Sequence, residues 1–316
     1  MTAVRLLRFA LPAAFSVLGI LAVLRSLGSL RALPHLHLSP GDLWAMALVY
    51  VLFTAVRGLR FRALMGSAEP WHRSAAVGFV YSAATNIFPG GIGEFSLPVI
   101  YRALPEGAAR ATAALLVARV QDLLSWLPFL LLGLLLGGLP RESFLLLPFS
   151  LAATFLSAVL VFVPQARQSL FALGRHIPLP RLQAFLAAVD RAIGPSALAG
   201  PALAYTLLLR AFSIASYFFV LRGFEVPVTL AESAVGGALV ALLLALPIQG
   251  IAGIGTVEVW WISVLHLYGV PLGTALVGAI GLHATTLILS VLLGLLPFLG
   301  QWIAQRTLSL ESLVTS

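Results

Sequence analysis

The chain has 316 residues, 60% of them hydrophobic and 9% charged, with a mean hydropathy of +1.03. Soluble domains carry roughly 45–50% apolar residues, so a soluble globular domain is excluded and an all-α integral membrane protein is predicted. There is no cysteine, and all 19 basic residues are arginine against 11 acids, a net charge of +8; disulfides, thiolate chemistry and lysine Schiff bases are therefore excluded as well.

Arg5 and Arg8 precede an apolar run over 9–24, read as a retained first helix because no convincing small-residue cleavage site follows it. A second span, 43–56, ends in Arg57, Arg60 and Arg62, which with Arg73 make 57–73 the first strongly basic loop. The third span, 74–88, runs into Asn-Ile-Phe-Pro-Gly-Gly-Ile-Gly-Glu at 86–94. Pro89 offers no backbone N–H, and Gly90, Gly91 and Gly93 hold no helix. Inside a bilayer such backbone is tolerated only where protein buries it or a wet cavity receives it. Glu94 follows directly, at a cost of roughly 3 kcal/mol near the midplane if nothing compensates it. Pro98 suits only the first turn of a helix, so the next helix is predicted to start near Ser96, with Glu94 at its N-terminus.

The run 110–139 is long for one crossing of a roughly 30 Å hydrocarbon core. It carries Arg119 and Asp122, three apart on one helix face and able to neutralise each other. A further span covers 143–163. The polar insert 164–199 sets Arg167, Arg175, Arg181 and Arg191 against Asp190 alone. Leu182, Phe185, Leu186, Val189 and Ile193 keep helical spacing there, predicting either a basic amphipathic helix on the membrane surface or a plain linker. The span 201–221 has Arg210 near its middle, which calls for an acid on another helix. After 231–246 comes a second break with Pro247, Gln249, Gly250, Gly253, Gly255 and Glu258, then a short segment through His266 and a long run over 271–302.

Glu94 and Glu258 are 164 residues apart, as are Ala111 and Ala275, and Arg119 and His283. Two broken segments in corresponding positions of two halves point to a transporter binding site. The chain is accordingly read as one membrane domain over 1–316, with about eight full transmembrane helices and two broken or short ones. Two inverted repeats, about 74–139 and 229–302, are joined by a cytoplasmic linker over 164–199. Inversion follows from parity: loops 57–73 and 164–199 are both basic and so cytoplasmic, which requires 95–104 to complete a crossing. Both termini then lie inside.

Each glutamate either caps its own short helix, complementing the dipole there, or serves a substrate. Asn86 and Gln249 flank the breaks, and His283 can titrate near neutrality. No hydrolase elbow, zinc-binding His-Glu-x-x-His or phosphate-loop motif occurs, so neither an enzyme, a cofactor nor a metal is expected.

At these residues the chain resembles the membrane region of the lysylphosphatidylglycerol synthase/flippase family, multi-pass proteins also found without any soluble domain. That family's Asn–Pro–Gly–Glu stretch, a following arginine and an Arg-x-x-Asp read here as Asn86, Pro89, Gly93, Glu94, Arg102, Arg119 and Asp122. A later Pro…Gly-x-Gly…Glu stretch reads Pro247, Gly253, Gly255 and Glu258. Many members carry a basic residue where this chain has Gly91 and Ile92, and the soluble aminoacyltransferase domain of bifunctional members is absent. The resemblance implies lipid translocation or handling rather than lipid synthesis, in a bacterial or archaeal cytoplasmic membrane. The expected partner is a lipid with an anionic or zwitterionic head group; nucleic acid is not expected, and the oligomeric state is open. The candidate substrate-binding set is therefore Asn86, Pro89, Gly91, Gly93, Glu94, Arg102, Arg119, Asp122, Gln249, Gly253, Gly255, Glu258 and His283. The alternatives are an ion-coupled carrier of a small solute and a non-transporting accessory subunit of a lipid-modifying system.

Overall fold

A computed structural model describes residues 39–88, 92–102, 107–137, 146–163, 200–244 and 251–314, and within 164–199 only Gln165, Ser169 and Gln183. The described residues form nine α-helices and two 3₁₀ turns, and no strand occurs among them. In chain order they are α1 (Pro40–Met65), α2 (Trp71–Ile87), a turn (Ile92–Phe95), α3 (Ser96–Tyr101), α4 (Gly107–Gly137) and α5 (Leu146–Phe162). After the polar insert come α6 (Pro201–Gly223), α7 (Leu230–Leu244), a turn (Ile251–Gly253), α8 (Thr256–Leu267) and α9 (Leu272–Val314). The first helix, 9–24, and the surface segment 164–199 lie outside the described residues, apart from those three glutamine and serine positions.

Four helices are long and apolar enough to cross a bilayer: α1, α4, α6 and the Leu272–Leu299 part of α9. Large apolar side chains such as Trp44, Leu136 and Phe155 point outward from the helices, as they do in a protein whose solvent is lipid. This is an integral membrane protein. The count of about eight full spans is corrected to these four among the described residues. Helices α2 and α5 have 17 residues each, and Leu230–Leu244, Thr256–Leu267 and Ile92–Tyr101 are shorter still.

A second correction concerns α1. The basic stretch after residue 56 is not a loop, because the helix continues to Met65 and ends on Gly66, whose φ of 60° suits a residue without a Cβ. Ser39 caps its start, accepting from the Asp42 N–H at 3.4 Å, and Pro40 fits its first turn. Arg60 is thus carried into the bundle, where it is buried.

Small residues set the close approaches, as expected where lipid supplies no hydrophobic drive between helices. A Cβ on Gly58 would fall 1.8 Å from the Ser74 carbonyl oxygen, and one on Gly78 would fall 2.1 Å from that of Thr54. With Tyr50 reaching Asn86 further along, α1 and α2 are antiparallel. Asp42 pairs with Arg222 and Arg60 meets Thr206, so α6 is antiparallel to α1. Thr206 bonds Gln121 and Arg210 bonds Ser125, so α4 runs parallel to α6. Gly237, Gly133 and Gly137 place Trp126, Val235 and Ala231 in reverse order along the α4–α7 contact, making that pair antiparallel. Asn86 bonds Ser290 and Gly294 lies on Ala83, so α9 is antiparallel to α2. Helices α2 and α4 therefore run one way, and α7 and α9 the other. Each long helix, α4 or α9, packs against the helix that precedes the opposite break.

Candidate functional site

Both breaks set a glutamate against a basic residue of the long helix that follows. In the first, the turn Ile92–Phe95 presses on the end of α2 so closely that a Cβ on Gly93 would lie 2.1 Å from the Ala84 carbonyl oxygen. Glu94, in this turn just before α3, accepts two N–H groups from Arg119 on α4, one of them from Nε at 2.8 Å. In the second, Gly253 and Gly255 adopt φ of 75° and 83°, and Ala252 is held at 52°, a left-handed value rare for a residue with a Cβ. Glu258 then takes the Gly255 N–H at 2.8 Å through one oxygen and His283 Nδ1 at 2.7 Å through the other. His283 Nε2 lies 2.9 Å from the Ala252 carbonyl oxygen. A carbonyl only accepts, so Nε2 is the donor there, and Nδ1 is the nitrogen that faces the Glu258 carboxylate.

In each acid–base pair the partners lie 25 residues apart. Each ties a broken segment to the long helix that follows it. They differ in exposure: the Glu258 and His283 side chains are 10% and 8% exposed, whereas Arg119 is 51% exposed.

Asp122 makes a different set of contacts. It does not pair with Arg119, three residues away, but with two arginines from other helices. Arg60 of α1 donates to it from both terminal nitrogens, at 2.5 and 3.2 Å, and Arg210 of α6 donates from one. Arg210 Nε also donates to Ser125 at 3.0 Å, and its guanidinium sits 4.7 Å from the Trp126 ring centroid. Arg210 thus finds the cross-helix acid that its place in an apolar span requires. The expected neutralisation of Arg119 by Asp122 is corrected: helical spacing places both on one face, but tertiary packing gives Arg119 to Glu94, and Asp122 to Arg60 and Arg210.

One turn before Arg60, Arg57 donates to Ser82 at 3.1 Å and lies 4.4 Å from the Phe53 ring centroid. Among the described residues no carboxylate pairs with it. It lines a cavity of about 110 Å³ together with Tyr50, Phe53, Asn86, Ser213, Ser216, Tyr217 and Thr286. Asn86, at the end of α2, donates to Tyr50 at 3.1 Å and to Ser290 of α9 at 2.6 Å, bridging both helices beside that cavity.

Of the residues picked out in the sequence, Glu94 joins Arg119, while Glu258 joins His283, Gly253 and Gly255. Gly93 seats the first turn and Asn86 reaches the cavity. Asp122 belongs to the arginine cluster, and Arg102 is exposed at the end of α3 and joins neither acid–base pair. Pro89, Gly91 and Gln249 lie outside the described residues. Arg57 and Arg60 were not singled out. Their spacing of three, on one helical face beside Phe53 and Phe61, was the available signal.

Neither the curated proteins nor the solved structures include a match to this chain. The family model described as "Lysylphosphatidylglycerol synthase TM region" matches residues 3–294, nearly the whole chain and both breaks with it. The chain belongs to the lysylphosphatidylglycerol synthase transmembrane-region family.

Proposed function

We propose that this protein binds a polar-headed membrane lipid and carries its head group between the two leaflets, acting as a carrier rather than a catalyst. The observation that carries this reading is the duplicated constellation of glycine break, acid and basic partner, with acid and partner 25 residues apart in each and the partner on a long helix. Its family membership directs the reading toward lipid. We further infer that 74–139 and 229–302 are inverted repeats. Support comes from the opposite directions of α2 and α7 and from the reciprocal packing of each long helix on the other half's first helix.

In this mechanism Glu94–Arg119 and Glu258–His283 fasten the broken segments on alternate sides of the site. Releasing one pair frees its short helix to swing, while the other half stays closed. Release of one pair is coupled to occupancy of the site by the head group. The loop between α1 and α2, flanked by Arg62 and Arg73, is placed at the cytoplasmic side, which also puts the C-terminus inside.

One observation favours a carrier of a small solute instead: the buried contact between His283 and Glu258 resembles an ion-coupling element. Native mass spectrometry of the protein released from its membrane separates the two. Retained phospholipid adducts are expected. Protein free of lipid adducts that accumulates a water-soluble solute in vesicles would contradict the lipid reading.

A further inference from the structure

The cavity between α1, α2, α6 and α9 has an unusual electrical balance. Arg57, Arg60 and Arg210 bring three guanidiniums into the bundle, and Asp122 is the only carboxylate paired with any of them among the described residues. Asp122 is already spent on Arg60 and Arg210. Arg57 feels both Asp122 and Arg60 but bonds only the neutral hydroxyl of Ser82. A guanidinium has five N–H donors, and an isolated charge inside low-dielectric surroundings is costly unless paired.

Two hydroxyls beside Arg57 are also unspent. Ser216 is 5% exposed and Tyr217 is half-buried, yet among the described residues neither hydroxyl makes a hydrogen bond. Both line the same cavity. By contrast, the hydroxyls of Ser213 and Thr286 are already committed to carbonyls one turn back, at 2.8 Å each. A fixed cation with two free hydroxyl donors around one small space is the chemistry that receives a tetrahedral oxyanion. At about 110 Å³ the cavity holds one such group and not a whole lipid, since each water in the liquid already takes about 30 Å³.

We propose that this cavity is an anion site for a single phosphate group, held by Arg57 with Ser216 and Tyr217, and that the phosphodiester of a membrane lipid is its occupant. This assignment rests on the lipid reading above and gives it a location. It puts the grip on the head group at the meeting of α2 and α9, where Asn86 bonds Ser290, rather than at the glycine breaks. The two acid–base pairs then control access to a head group that Arg57 holds.

The test uses the full-length protein in nanodiscs of uncharged lipid, titrated separately with dioctanoyl phosphatidylglycerol, dioctanoylglycerol and inorganic phosphate. The wild type is expected to bind the phospholipid, with diacylglycerol at least about tenfold weaker. Arg57→Gln should weaken phospholipid binding by at least about tenfold, and Arg57→Lys should recover part of the loss. The Ser216→Ala, Tyr217→Phe variant keeps every charge and tests the site independently of the Arg57 result; it should also bind the phospholipid less tightly. Inorganic phosphate should displace the phospholipid from the wild type and not from Arg57→Gln. Phospholipid binding unchanged in both variants would overturn the cavity assignment while leaving the lipid reading intact. Phosphate alone binding as tightly as the phospholipid would sustain the anion site and overturn its lipid occupant.

Discussion

Replacing Asp122 with asparagine removes one charge and strands two. Arg60 loses a bonded carboxylate at 2.5 and 3.2 Å, and Arg210 loses the only acid paired with it among the described residues. Both arginines are buried, at 2% and 8% exposure, so water does not replace the lost partner. Breaking one buried pair by removing a partner costs about 3–5 kcal/mol, and Asp122→Asn should lie at the upper end or beyond. Arg210→Gln is gentler, because the Arg60–Asp122 pair survives and loses only a competitor. Its cost comes from the bonds to Asp122 and Ser125 and the stacking on Trp126, about 2–3 kcal/mol together because Arg60 still neutralises the carboxylate. The double variant should be no less stable than Asp122→Asn alone, since the second change removes a stranded cation. Denaturant unfolding of the four proteins in one detergent gives the ordering. Asp122→Asn costing no more than Arg210→Gln would refute the shared-acid reasoning.

The two acid–base pairs should respond unequally to equivalent changes. His283→Ala leaves a buried carboxylate with, among the described residues, only the Gly255 N–H and should cost about 3 kcal/mol, whereas Arg119→Ala, at a half-exposed site, should cost about 1 kcal/mol or less, both read from unfolding curves. Gly93→Ala drives a methyl group into the Ala84 carbonyl and should destabilise by about 1–3 kcal/mol or unseat the first break, detectable as faster proteolysis within 89–104. The native chain has no cysteine, so single cysteines introduced at Ala68 and Pro271 report topology cleanly. They should react with impermeant reagents from opposite faces, and labelling of both from the same face would contradict the helix directions described above.

Much of this arrangement was legible in the sequence because breaks announce themselves: Pro89 and the glycines around it cannot continue a helix, and an acid beside them in an apolar chain needs a reason. The 164-residue offset also located the partners, since Arg119 and His283 keep it along with the glutamates. Cross-helix electrostatics were not legible. Arg119 and Asp122 share a face by spacing, yet the distance from each to a third helix decides the pairing, and spacing along one helix carries no such information. Arg57 and Arg60 were hidden for a related reason. Arginines after an apolar run read as a cytoplasmic boundary, and only Gly66, nine residues beyond Arg57, marks where α1 ends.

Lipid movement itself is the decisive measurement. Vesicles containing the purified protein and a head-group-labelled phospholipid allow the label on the outer leaflet to be quenched and the rate of exchange between leaflets followed. Wild-type protein is expected to speed that exchange well above protein-free vesicles. The Glu94→Gln, Glu258→Gln variant, folded but without either acid, should slow it by at least about tenfold, roughly 1.4 kcal/mol or more on the barrier. No exchange above background from folded wild-type protein, or full exchange from the double variant, would contradict a carrier that works through its two fastened breaks.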